Sequence, residues 1–201
     1  MVPVSIGRRS FLSTALLAFV MTSQGRAQVG TAEAATGDAS ATAYMRRVAD
    51  DLIAASRQGT VMSFHRVITR HANVEAIANY ALGPYRAALP RSAFPSYYKG
   101  VAMFMARYFA DSSREYAVAK AEIGQATRDK DGRVMVNTRV TLLTGSTYNV
   151  IFQLSRAGNE YRILDVSVLG FSLSYLQRGI FQRYIAKNGG NVNALVAALN
   201  R

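Results

Sequence analysis

The chain has 201 residues, half of them hydrophobic, which suits one domain or two small ones and excludes a disordered chain. Its 24 Lys and Arg against 12 Asp and Glu give a net charge of +12, while cysteine and tryptophan are absent and histidine occurs only twice. This inventory excludes disulfides, thiolate metal sites and thiol nucleophiles, and it favours burial of apolar surface over metal or nucleophile chemistry.

The chain opens on an address. Arg8 and Arg9, followed by Phe11 and Leu12, match a twin-arginine export signal. The apolar run from Phe11 to Met21 is shorter than the about 20 residues that span a bilayer. Gly25, Arg26 and Ala27 then place small residues where a signal peptidase reads them, so residues 1–27 are expected to be a signal peptide cleaved near Ala27. Its removal takes away Arg8, Arg9 and Arg26 and leaves 21 basic against 12 acidic residues, a net charge of +9. Outside the cytoplasm that excess points to anionic lipid head groups and acidic protein surfaces, with no nucleic-acid partner. Residues 28–41 are small and polar and read as a flexible leader.

A helical period begins near residue 42, with Tyr44, Val48, Leu52 and Ala55 on one stripe, and Gly59 ends it. A second helix carries Val61, Phe64, Val67 and Ile68. A third runs from Val74 to Leu82, where Gly83 and Pro84 stop it. Residues 92–112 form the richest helix, with Pro95 in its first turn. Its Phe94, Tyr97, Tyr98, Val101, Phe104, Met105, Tyr108 and Phe109 cover more than one face. Such a helix is either buried or faces something other than protein.

From about residue 114 the period changes to two. Glu115–Arg128 reads as a first strand. Val134, Val136, Thr138, Val140 and Leu142 alternate in a second, and Tyr148, Val150, Phe152 and Leu154 in a third. Leu164, Val166 and Val168 share a face of the fourth, and Gly170 ends the sheet. Short turns at Gly132, Gly145 and Gly158 make this a four-stranded antiparallel meander. A helix with Leu173, Leu176, Ile180, Phe181, Tyr184 and Ile185 follows, then a short last helix at 191–199. The fold class is α+β: N-terminal helices, a sheet at 115–170 and C-terminal helices.

Several of these segments resemble one family. Ile77 to Arg86, with its Leu82-Gly83 step, resembles the corresponding stretch of MlaC-type (toluene-tolerance) periplasmic phospholipid-binding proteins. The string Asp165, Gly170, Ser172, Leu173, Arg178, Phe181 and the later Gly189-Gly190 is similar to that family's C-terminal pattern. The similarity runs in order from Tyr44 to Leu199. Departures are Asn73 for Asp, Val74 for Phe, Arg86 and Tyr161 for Trp, Leu169 for Glu and Leu176 for Asn.

The resemblance implies a cystatin-like or nuclear-transport-factor-2-like sheet that encloses, with helices, an apolar cavity in a domain over 42–200. It implies a monomeric periplasmic carrier of phospholipid with no cofactor beyond its lipid. Its partners would be an inner-membrane ABC lipid transporter and an outer-membrane lipoprotein complex. A hopanoid-associated branch belongs to the same broad family. Candidate lipid-lining residues are Tyr80, Leu82, Tyr97, Tyr98, Val101, Phe104, Met105 and Tyr108 from helices. Val136, Val140, Tyr148, Val150, Phe152, Val166 and Val168 come from strands, with Phe171, Leu173 and Phe181 at and beyond the strand-to-helix junction.

Catalytic and metal roles are not expected. Asp165 reads as a carboxylate paired with Arg139 or Arg178, and His65 and His71 as solvated. Ser172 lacks a Gly-x-Ser-x-Gly elbow. Two other classes compete: an enzyme using Asp165, a tyrosine and a histidine on an apolar substrate, and a scaffold whose apolar face meets a protein.

Overall fold

The computed structural model describes residues 38–129, 131–158 and 160–201. The expected signal peptide and most of the expected leader lie outside these residues. Helix α1 spans Ala39–Gln58, α2 Val61–His71 and α3 Val74–Leu82. Two short 3-10 turns, Gly83–Ala88 and Arg91–Ala93, lead into α4, Phe94–Ser113. Strands β1 (Val118–Arg128), β2 (Val134–Leu142), β3 (Thr147–Ala157), β4 (Glu160–Val168) and β5 (Phe171–Ser172) follow. Helices α5 (Leu173–Lys187) and α6 (Val192–Leu199) close the chain.

Helix starts follow side-chain chemistry. Asp38, Thr60, Asn73, Ser172 and Asn191 each accept a backbone N–H of the first turn of α1, α2, α3, α5 and α6, respectively. Because Asp38 is the cap, α1 begins at Ala39, five residues ahead of Tyr44, the first residue of the apolar stripe that announces it. At its other end Gly59 takes φ +63, the left-handed conformation that terminates helices. Helix α4 lacks a side-chain cap and relies on a proline in its first turn.

The strands pair antiparallel in the order β1-β2-β3-β4-β5. The fifth strand corrects the four-stranded expectation. Gly170 does not end the sheet: Leu169 and Gly170 both take positive φ, and the tight turn returns Phe171 and Ser172 to pair with Val168 and Ser167. Strand β1 starts at Val118 rather than Glu115, since Ser112 O still holds the N–H groups of Glu115 and Tyr116.

Register shifts interrupt β1 twice and the β3–β4 pair once. Each bulge bends and twists its strand, so together they curve the sheet. The β4 bulge also resets which side chains face inward. Ile163 lies opposite Leu154 and Asp165 opposite Gln153, leaving Leu164 as the extra residue. Tyr161 and Ile163, then Val166 and Val168, therefore share the inner face, and Leu164 drops out of the set expected from strict alternation.

That inner face packs on α1 through Tyr44, Met45 and Val48. A second core lies among α3, α4, α5 and α6, around Leu82, Tyr97, Val101, Phe181 and Ile185. A third joins α1, α2 and α4 through Ala55, Phe64, Ile68, Ala102 and Ala106. Gly100 brings α4 and α6 close together: a Cβ there would stand 2.8 Å from Leu199 Cβ.

Candidate functional site

The eighteen candidate residues divide between two apolar layers and the surface. On the sheet side Val136, Val150 and Phe152 are buried against α1, while Val140, Tyr148, Val166 and Val168 are half-buried at the edges of that cluster. On the helical side Leu82, Tyr97, Val101 and Phe181 are buried, and Tyr98, Phe104 and Met105 are half-buried beside them. The Phe104 and Phe181 rings meet edge to face at 5.1 Å between centroids, and Tyr97 meets Phe181 at 6.5 Å. Leu173 is half-buried at the start of α5, whereas Tyr80, Tyr108 and Phe171 are exposed.

The two layers are separate clusters. Helix α4 packs on α2, α3 and α6, with no strand among its principal neighbours. Half-buried apolar side chains thus occur at the margin of each cluster. Leu52 of α1 adds to the sheet side. The candidate set includes no α1 residue, although the stripe of Tyr44, Val48 and Leu52 marks this helix as one with a side to bury.

The titratable groups act as fasteners. The Tyr97 hydroxyl donates to Ala78 O at 2.9 Å and the Tyr44 hydroxyl to His71 O at 3.0 Å. Burial pushes both phenols up, Tyr44 to about 12, so both keep their protons near neutrality. His71 is buried rather than solvated, because its Nε2 lies 2.7 Å from Asp51 Oδ2 and satisfies a polar group on the inner side of α2. The hydrogen bond from His71 holds the Asp51 carboxyl below its ordinary range, and Arg70 at 3.2 Å adds to it. His65 is half-buried.

Asp38 ties three elements together. It caps α1, accepts the Tyr161 hydroxyl of β4 and pairs with Arg128 of β1 at 2.8 Å. Hydrogen bonds from Ser40 and Tyr161 bring its carboxyl down to about 2. Asp165 makes neither of the ion pairs expected of it. Its Oδ1 accepts the backbone N–H of Ser174 at 3.0 Å and so secures the first turn of α5. Arg178 lies instead over the Tyr80 ring, 4.8 Å from its centroid. Asp165 is thus engaged at α5, and His71 at Asp51 with the Tyr44 ring beside it.

Two open concavities lie away from the candidate set. One, about 690 Å³, is on the outer sheet face and is lined by Asn137, Arg139, Asn149, Ile151, Ser167 and Leu169 among others. The other, about 490 Å³, lies between the end of α1 and β1 near Arg57, Ser113 and Leu143. Inside the fold, Thr138 Oγ1 on the inner sheet face and Gln177 Nε2 on the inner side of α5 are buried without a hydrogen-bond partner.

This is the architecture of an α+β protein with apolar cores built on a curved antiparallel sheet and in a helical layer, and several of its polar side chains fasten the elements. The chain belongs to the MlaC protein family, whose model matches residues 39–201. Its fold is similar to that of the phospholipid-binding protein from Ralstonia solanacearum, solved in complex with a phospholipid. The two share 18% identity with a TM-score of 0.64, over 80% of this chain and 94% of the other. No curated protein matches the sequence.

Proposed function

We propose that this chain is a periplasmic phospholipid-binding carrier of an ABC-type lipid transport system. It would take phospholipid between an inner-membrane transporter and an outer-membrane lipoprotein complex. The observation that carries the reading is the pair of half-buried apolar surfaces, Val140, Tyr148, Val166 and Val168 on one side and Tyr98, Phe104 and Met105 on the other. They belong to separate clusters, and each is apolar wall left over after its own core is packed. Each methylene of an acyl chain laid against such a wall gains about 0.8 kcal/mol. Affinity for a long-chain lipid needs only that, and no catalytic group. Family membership and the neighbour's bound phospholipid support the choice of ligand, and the N-terminal twin-arginine pattern supports export.

Native mass spectrometry of protein purified from a Gram-negative host tests the reading. The expected spectrum contains a phospholipid adduct, and the adduct mass separates glycerophospholipid from a hopanoid. Absence of lipid after gentle extraction, together with no binding or transfer of labelled phospholipid, overturns the proposal. Val168→Arg places a charge on the half-buried wall, and the expected outcome is a folded protein without the adduct.

A further inference from the structure

Helix α5 carries apolar side chains on both of its sides. Ser174, Gln177, Phe181 and Ile185 form the buried stripe. Leu176, Ile180 and Tyr184 recur every fourth residue on another side and remain exposed, with Tyr175 next to Leu176. Immediately before the helix, the β4–β5 turn presents Leu169 and Phe171, which are 61% and 67% exposed. Leu169 holds φ +52, a conformation that glycine or asparagine adopts far more readily than leucine. A strained turn, an exposed aromatic and an apolar helix side thus form one stretch of chain with no cover among the described residues.

The charged side chains that α5 carries have a single sign, and Asp165, which touches its first turn, accepts the Ser174 N–H. Every charged side chain from Ala76 to Ala110 and from Val166 to Arg201 is basic: eight residues, with no carboxylate side chain among them. None of the eight forms an ion pair with a side chain among the described residues. Arg183 and Lys187 lie on α5 itself, interleaved with its exposed apolar residues. A docking site for one protein would be patterned with both signs or concentrated in a patch. Dispersed positive charge around exposed leucine, phenylalanine and tyrosine suits a laterally uniform anionic surface, in which tyrosine rings sit at the head-group level.

We propose that the β4–β5 turn and the outer side of α5 dock on an anionic phospholipid bilayer. Leu169 and Phe171 enter the head-group region, while Arg183 and Lys187 meet lipid phosphates. Docking of this face does not depend on whether the interior carries a lipid.

The chain lacks tryptophan, so Phe171→Trp in the full chain provides a single local reporter. Its emission is expected to shift to the blue, and to be quenched by brominated lipid, on vesicles of phosphatidylglycerol and phosphatidylethanolamine. Neither change is expected on pure phosphatidylcholine, and raising salt from about 50 to about 500 mM reverses both. The variant Leu169→Ser/Tyr175→Ser, with both changes on the surface, should keep the parent melting temperature. It should partition to anionic vesicles at least about tenfold more weakly. Its uptake of soluble dihexanoyl phosphatidylglycerol should be unchanged, which separates docking from cargo binding. An unshifted emission, an equal shift on phosphatidylcholine, or an equal shift with the short-chain lipid alone overturns the proposal. So does a shift that grows with protein concentration without vesicles, which would identify a second copy as the occupant, or parent-like partitioning of the serine variant.

Discussion

The α1–sheet layer and the α3–α6 layer use similar numbers of apolar side chains to different ends. In the first, α1 covers the inner sheet face, and acidic residues at Asp38, Asp51, Glu122 and Glu160 pair with basic neighbours. In the second, the core closes around Tyr97 and Phe181, the charged side chains are almost all basic, and one side of α5 stays apolar and uncovered. An antiparallel sheet with a helix on one face satisfies its own hydrophobic surface and can leave the other face to water. A helical layer distributes apolar residues around each helix and buries only what neighbours cover. The sheet side is therefore the self-sufficient half of the interior, and the helical side is the half with apolar surface to spare.

That contrast can be broken at chosen positions. The largest effect is expected at Phe152, buried between sheet and α1: Phe152→Ala should cost about 3–5 kcal/mol, read from urea unfolding. The same substitution at exposed Phe171 should leave stability nearly unchanged; equal losses at the two sites would erase the distinction between the layers. Next comes Gly100→Val, which drives side-chain atoms into Leu199 and should cost about 1–3 kcal/mol by thermal melting. Weakened hydrogen-exchange protection should be confined to α6 and adjoining α4, with the sheet unaffected.

A smaller effect, about 1 kcal/mol at neutral pH, is expected for Asp38→Ala, which removes the α1 cap. Its pH dependence sharpens the comparison. The folded-state carboxyl is depressed to about 2 from an ordinary 3.8, so the parent holds this stability above about pH 3.8. It loses it as pH falls toward 2. Difference curves from acid titration of the parent and the alanine variant should converge over that interval. Asp51, likewise depressed, titrates on the same limb, so Asp51→Asn should flatten it further. Convergence elsewhere would place the acid-labile fastening outside the α1–sheet layer.

Much of this architecture was legible in the chain. The stripe of Tyr44, Val48 and Leu52 and the alternation of Val134, Val136 and Val140 each record a local period, and local periods follow from backbone geometry alone. The candidate site was legible as a set of residue types but not as an arrangement. Asp165 looked like half of an ion pair because a mid-strand carboxylate needs a partner. A bulge one residue earlier turned it toward the backbone N–H of Ser174. His71 looked solvated because its neighbours Thr69 and Arg70 are polar, yet Asp51, twenty residues earlier, supplies the partner that permits its burial.

By itself the sequence determined the α+β order of elements, the family resemblance, the absence of cysteine and the net basic charge. These are properties of composition and of short-range spacing. The tertiary structure alone decided that the sheet's inner face is claimed by α1, that β4 changes phase at Leu164, that a fifth strand follows Gly170, and that one side of α5 is left bare. Each of these depends on which surface meets which across the fold, and an apolar residue carries the same hydrophobic driving force whether its partner is a neighbouring helix, a lipid chain or none.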